Sequence, residues 1–146
     1  QNFAKGMRWS PKNDGESSNS CVAMIKPSFL IGVVGPCGAG KSTLVINLRK
    51  NGYNAKAIAQ EHSFVPEMWQ KFTKPNFLIY LSASYKTTIN RKKFAWTIEE
   101  YSEQLRRLNH ALNNADLIIQ TDDLTIDDVK LHVEKKLSEY RLSEIE

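Results

Sequence analysis

The sequence predicts an α/β fold: a mainly parallel sheet of about four to five strands with helices on both faces. Three observations carry this expectation. Two continuous apolar runs, "FLIGVV" (29–34) and "NFLIYLS" (76–82), have the unbroken hydrophobicity of strands covered on both sides. Segments with helical periodicity separate the strand-like runs, the alternation of a parallel sheet. The first run passes directly through "GPCGAGKST" into a helical pattern.

Taken in order, residues 1–23 read as a tail. "SPKNDGESSNS" is polar, rich in Ser and Asn, and lacks periodicity. Met24 directly precedes "IKPSFLIGVV" and is a candidate start, and Trp9 is the one tail residue suited to docking. Residues 24–146 then form a single domain. The first strand is 29–34. From Ser42 the pattern turns helical, with Leu44, Val45 and Leu48 on one side and Gly52 as a stop. Residues 53–59 are a weaker strand. Pro66 suits the first position of a short helix, "PEMWQKF", and 76–82 is the second strong strand. Ser84 is placed to cap a basic helix with Lys86, Arg91, Lys92 and Lys93. "TIEE" at Thr97 to Glu100 is a capping box. Ile98, Tyr101, Leu105, Leu108, Leu112 and Ala115 recur at spacings of three and four, an amphipathic helix ending at Asn113 and Asn114. "ADLIIQT" is a fourth strand. Thr125 opens a last helix with Ile126, Val129, Val133 and Leu137 inward. No internal repeat is visible.

The 146 residues, 41% hydrophobic and 25% charged, suit one soluble domain. No run approaches the roughly 18 apolar residues of a membrane span. The first twenty residues are polar, unlike a signal peptide. Cys21 and Cys37 make a poor disulfide framework and read as free thiols in a reducing cytoplasm. The net charge of +4 conceals an asymmetry: residues 1–98 carry 14 Lys and Arg against 4 Asp and Glu, and residues 99–146 carry 6 against 12. A basic half containing a glycine-rich loop fits a polyphosphate ligand. It also permits nucleic acid, but no stacking motif accompanies the charge.

The residues Gly35, Pro36, Cys37, Gly38, Ala39, Gly40, Lys41, Ser42 and Thr43 spell G-x-x-x-x-G-K-[ST] between a strand and a helix. Glycines let backbone N–H groups turn inward, and the helix N-terminus adds its positive end. Lys41 is placed to reach outer phosphates, and the Ser42 hydroxyl to bind Mg²⁺. On these residues the chain resembles the P-loop NTPases, and more closely their kinase-like branch, from about 29 to 137. "LIYLSAS" leading to Arg91 and "NNADLIIQTDDLTIDDV" resemble the strand before an arginine-bearing lid and the closing strand and helix of small-molecule kinases. The resemblance implies ATP as ligand, Mg²⁺ as metal and a central loop strand. It departs from GTPases, since no N-K-x-D is present, and from helicases and transporter ATPases, since no apolar strand ends in Asp-Glu.

Phosphoryl transfer needs an acidic group near the metal or the attacking hydroxyl. The strand that would end in Asp ends in Ser82. Before residue 98 the acids are Asp14, Glu16, Glu61 and Glu67, and the first two lie in the tail. Glu61 follows the 53–59 strand, at the end where parallel sheets bind ligands, and is the candidate base or metal partner. His62 is a candidate substrate contact or turn cap. Met68 and Trp69 suit the core better than an acceptor pocket. Asp116 and Asp122 flank the fourth strand and rank below Glu61. Arg91 is the candidate lid cation, and Arg106 and Arg107 follow in the next helix. The expectation is a small ATP-dependent kinase with an unidentified small-molecule acceptor. Two alternatives stay open. One is a non-transferring nucleotide-binding module, to which the short span between Gly52 and Asn76 points. The other is a polynucleotide 5′-hydroxyl kinase.

Overall fold

A computed structural model describes the backbone of residues 28–92 and 95–145. The tail at 1–23 with Trp9 and Cys21, the candidate start Met24, and Lys93 lie outside the described residues. Along the described chain run β1 (Leu30–Val34), α1 (Lys41–Lys50), β2 (Asn54–Ala57) and two short turns of helix, Gln60–His62 (3₁₀) and Trp69–Thr73 (π). There follow β3 (Phe77–Ser82), α2 (Tyr85–Lys92), α3 (Ile98–Asn114), β4 (Leu117–Gln120) and α4 (Ile126–Ile145). No described helix is long and apolar enough to cross a membrane.

The four strands form one sheet in the order β2-β1-β3-β4, every pair parallel. β1, the strand that feeds the glycine-rich loop, is therefore internal. Its register sets Ile31 beside Ala55 on one side and Phe77 on the other. The period-two rule of a strand splits the apolar runs between two cores. Ile31, Val33, Phe77, Ile79 and Leu81 pack with Leu44, Leu48, Val133 and Leu137 of α1 and α4. Val34, Leu78 and Tyr80 pack with Leu108 and Ala111 of α3 and with Trp69. Both faces are covered, which is why these strands read as unbroken apolar runs. Burial, with Tyr101 nearby, pushes the Tyr80 phenol up to about 12, so it serves the core as a neutral ring.

Side chains just before the strands complete the ladder. Asn76 donates its N–H to Leu30 O at 2.8 Å, and its Oδ1 accepts the Leu30 N–H at 2.7 Å. Asp116 does the same for Leu78, with both bonds at 2.8 Å. Each polar residue thus occupies both backbone groups of a neighbouring strand.

Several expectations are corrected. The helix expected from Pro66 is replaced by a π turn at Trp69–Thr73. The chain is diverted there because the buried Gln60 side chain accepts the Trp69 N–H at 2.8 Å and donates to Val65 O at 2.9 Å. The capping box at Thr97 and Glu100 is present. The inward face of α3, however, is centred on Gln104, Leu108 and Ala111, and Ile98 is exposed. Ile126 is exposed as well, while Val129, Val133 and Leu137 are buried as expected.

Asp116 and Asp122 both serve the backbone. Asp122 Oδ1 accepts the Ser84 N–H at 2.9 Å. That bond, with the Ser84 and Thr87 hydroxyls and the Arg91 charge, holds its carboxyl below the usual aspartate range against the opposing effect of burial. A depressed folded-state value stabilises the fold above the unfolded value of about 3.9, and that contribution is lost as pH falls through the folded value. Asp122→Asn keeps an acceptor there but does not titrate. Its melting temperature should fall less than the parent's between about pH 5 and pH 2. Thermal melts across that range check this, and identical acid slopes would contradict it.

Candidate functional site

The site begins where β1 leaves the sheet. A Cβ on Gly35 would stand 2.3 Å from Leu81 O, so only glycine lets the chain pass β3 at this point. Gly38 and Gly40 take φ values of 88° and 101°, the left-handed region that glycine enters without strain. Gly40 is the N-cap of α1. It contributes no side-chain cap, and the first turn holds no acid. The leading N–H groups of a helix have no acceptor within it, so the start of α1 is left with donors and a positive dipole end. Inside the loop, the Ala39 N–H closes a turn onto Pro36 O at 3.1 Å.

Two helices brace this loop from different sides. From α3, Gln104 accepts the Cys37 N–H at 3.0 Å and donates to Cys37 Sγ at 3.3 Å. From α2, Arg91 Nη1 donates to Gly38 O at 3.1 Å, Ala39 O at 3.3 Å and Thr121 Oγ1 at 3.0 Å. Its Nη2 donates to Thr121 O at 2.7 Å, which ties the loop to the end of β4.

Lys41, the first residue of α1, folds back over the loop. Its Nζ donates to Gly35 O at 2.6 Å and Pro36 O at 3.2 Å, and meets Glu61 Oε2 at 3.0 Å. The two side chains are 12% and 5% exposed, which makes this a buried ion pair. Glu61 lies in the 3₁₀ turn after β2, and its Oε1 is buried without a partner among the described residues. His62 Nε2 lies 3.6 Å from Glu61 Oε2 and from Cys37 Sγ. Cys37, Gly38, Gly40, Lys41, Ser42, Thr43 and Glu61 line an open depression of about 350 Å³. A second depression, also about 350 Å³, is lined by Gln104, Trp96, Arg107 and the carboxylates of Glu99, Glu100 and Glu103. Gln104 thus stands between the two.

The residues singled out in the sequence fall into three groups. Cys37, Gly38, Gly40, Lys41, Ser42, Thr43 and Glu61 line one cleft, while Gly35 and Pro36 hold Lys41 through their carbonyls and Ala39 is buried in the core. Arg91 reaches the loop through its carbonyls. His62 stands at the edge of the same cleft, beside Glu61 and Cys37, and the remaining residues serve other parts of the fold. Met68 and Trp69 pack in the core with Leu108, and Trp69 Nε1 donates to His110 Nδ1 at 3.1 Å. Arg106 pairs with Glu103 at the exposed surface. Arg107 also binds Glu103, at 2.9 Å, and lies 4.2 Å over the Phe64 ring. Cys37 is a free thiol. Sequence reading missed Gln104 and Thr121. Gln104 does carry a signal, because it shares the spacing of Leu108 and Ala111, where an apolar residue is the ordinary choice. Thr121 carries none, since its role is set by Arg91 thirty residues away.

No family model matches the chain, and no curated protein matches it.

The two glycines differ in what they relieve. Gly35→Ala drives a Cβ into a backbone carbonyl, whereas a Cβ at Gly40 meets nothing within 4 Å among the described residues, and only the left-handed backbone opposes it. Gly35→Ala should therefore cost about 3 kcal/mol or more, and Gly40→Ala about 1–2 kcal/mol. Urea unfolding of both variants measures the difference. Equal losses would show that the approach to Leu81 does not constrain the fold.

Proposed function

We propose that this chain is a P-loop nucleotide-binding protein of the kinase-like branch, which binds Mg-ATP and transfers its γ-phosphate to a small-molecule acceptor. The observation that carries the reading is the meeting of Lys41 and Glu61 at one cleft with the uncapped start of α1. Anion-binding donors, a cation for the outer phosphates and a carboxylate for acceptor chemistry then share one opening. A cytoplasmic setting with free thiols belongs to the same reading.

Each residue's part follows from its surroundings. The α1 amides hold phosphate oxygens. Lys41 turns from its loop carbonyls toward the phosphates, which uncovers Glu61. The freed carboxylate accepts the proton of the acceptor hydroxyl. Ser42 lines the cleft and Glu61 retains a buried oxygen unpartnered among the described residues, so hard oxygen donors of the kind Mg²⁺ takes are present. Bound there, Mg²⁺ supplies neutralisation of phosphate charge. Arg91 contributes by fixing the loop carbonyls, and acts as a lid cation only on releasing them.

A second reading, the non-transferring module, is favoured by one feature. Between Ala57 and Phe77 the chain makes only two short helical turns, and Trp69 of the second is spent on the core. That leaves little chain there for an acceptor-binding insert.

Calorimetry and acid-quenched product analysis with labelled ATP separate these readings. Lys41→Ala should weaken ATP binding by about tenfold or more, the scale of a lost charged hydrogen bond. Glu61→Gln should lower turnover by about 10²-fold, the scale of a general base, with a much smaller effect on binding. Equal ATP affinity in parent and Lys41→Ala would overturn the reading. Tight ATP binding with neither transfer nor hydrolysis against acceptor panels would leave the module.

A further inference from the structure

Cys37, Glu61 and His62 bring three kinds of metal donor together, with a ligand atom of each within 4.8 Å of the others. The separations are 3.6 Å from Cys37 Sγ to His62 Nε2, 3.6 Å from His62 Nε2 to Glu61 Oε2, and 3.9 Å from Cys37 Sγ to Glu61 Oε2. Tetrahedral zinc, with bonds of about 2.3 Å to sulfur and 2.0–2.1 Å to nitrogen and oxygen, has donor edges of about 3.6 Å and 3.3 Å. The three donors already stand within a few tenths of an ångström of that arrangement.

Further features support a cation here. Glu61 Oε1, the oxygen beside the Oε2 measured above, is buried with no partner among the described residues, so the carboxylate holds acceptor capacity that is costly to leave unused. Gln104 donates to Cys37 Sγ at 3.3 Å, the kind of outer hydrogen bond that orients a ligating thiolate. The His62 side chain is 60% exposed, which gives an entry path from solvent. Lys41 opposes the cation, but it has Gly35 O and Pro36 O to retain when it yields Glu61 Oε2.

We propose that Cys37, Glu61 and His62 form a three-ligand site for a soft divalent cation, Zn²⁺, with the fourth position open to water. A thiolate and an imidazole suit zinc and do not suit Mg²⁺, so this donor set differs from the Ser42 position, with which it shares only Glu61. Binding releases the thiol proton to solvent. The site does not rest on the nucleotide reading, and its test contains no nucleotide.

The experiment titrates the full chain with Co²⁺ as a spectroscopic stand-in, then with Zn²⁺ as competitor. The expected result is a near-ultraviolet thiolate-to-cobalt charge-transfer band that saturates at one equivalent and is abolished by Zn²⁺. The band should be absent in Cys37→Ser, unchanged in Cys21→Ser, and shifted to higher Co²⁺ concentration in His62→Ala, a change at a side chain that is 60% exposed. No band in the parent overturns the proposal. So does a band that survives Cys37→Ser but vanishes in Cys21→Ser, or a titration that His62→Ala does not move.

Discussion

The Lys41 ammonium lies almost out of water, and a charge so placed must find acceptors inside the protein. It finds three. Two are the carbonyls of Gly35 and Pro36, where the chain has just left β1, and the third is Glu61, carried by the turn after β2. That turn is itself anchored, because Gln60 Nε2 reaches Val65 O and Arg107 O and its Oε1 takes the Trp69 N–H. The first strand, the first helix and the end of the second strand therefore converge on one cation. Such a pair contributes little net stability. Losing one partner, however, strands a buried charge at a cost of about 3–5 kcal/mol. The pair governs where things are placed more than how firmly the molecule holds together.

The same cleft is shaped from outside by peptide geometry. A trans peptide points its N–H opposite to its C=O. Arg91 takes the carbonyls of Gly38 and Ala39, so the Gly40 N–H is directed away from the guanidinium. A cation on one side thus helps aim donors toward the other. Gln104 uses up the Cys37 N–H in fixing the loop entrance, which leaves the remaining donors concentrated at the start of α1.

Much of this architecture was legible because it depends on neighbours in sequence. The unbroken apolar runs gave β1 and β3, the Thr97–Glu100 box gave the start of α3, and the glycine pattern gave the loop between strand and helix. Glu61 stood out as an acid just past a strand. What stayed hidden depends on partners far along the chain. Periodicity turned Ile98 inward, yet α3 presents Gln104 because an amide on another element needs it. Pro66 suggested a helix start, but the buried Gln60 side chain determines the local path. Nothing near Arg91 announces that its acceptors lie at Gly38 and Thr121.

The all-parallel sheet bears on how the molecule comes into being. No pair of its strands can form as a hairpin, and the β1–β3 ladder pairs Ile31 directly with Phe77 although β2 lies between them in sequence. Each pairing closes a long loop before contacts repay the lost entropy, the mark of slow folding. The loop at Gly35 to Thr43 draws on this ladder for its exit, on α2 and α3 for its braces, and on Thr121 at the end of β4. Its shape therefore rests on contacts that span most of the described chain. A nascent or nicked chain lacking the last strand would carry the glycine motif in its sequence without the braced cradle in space.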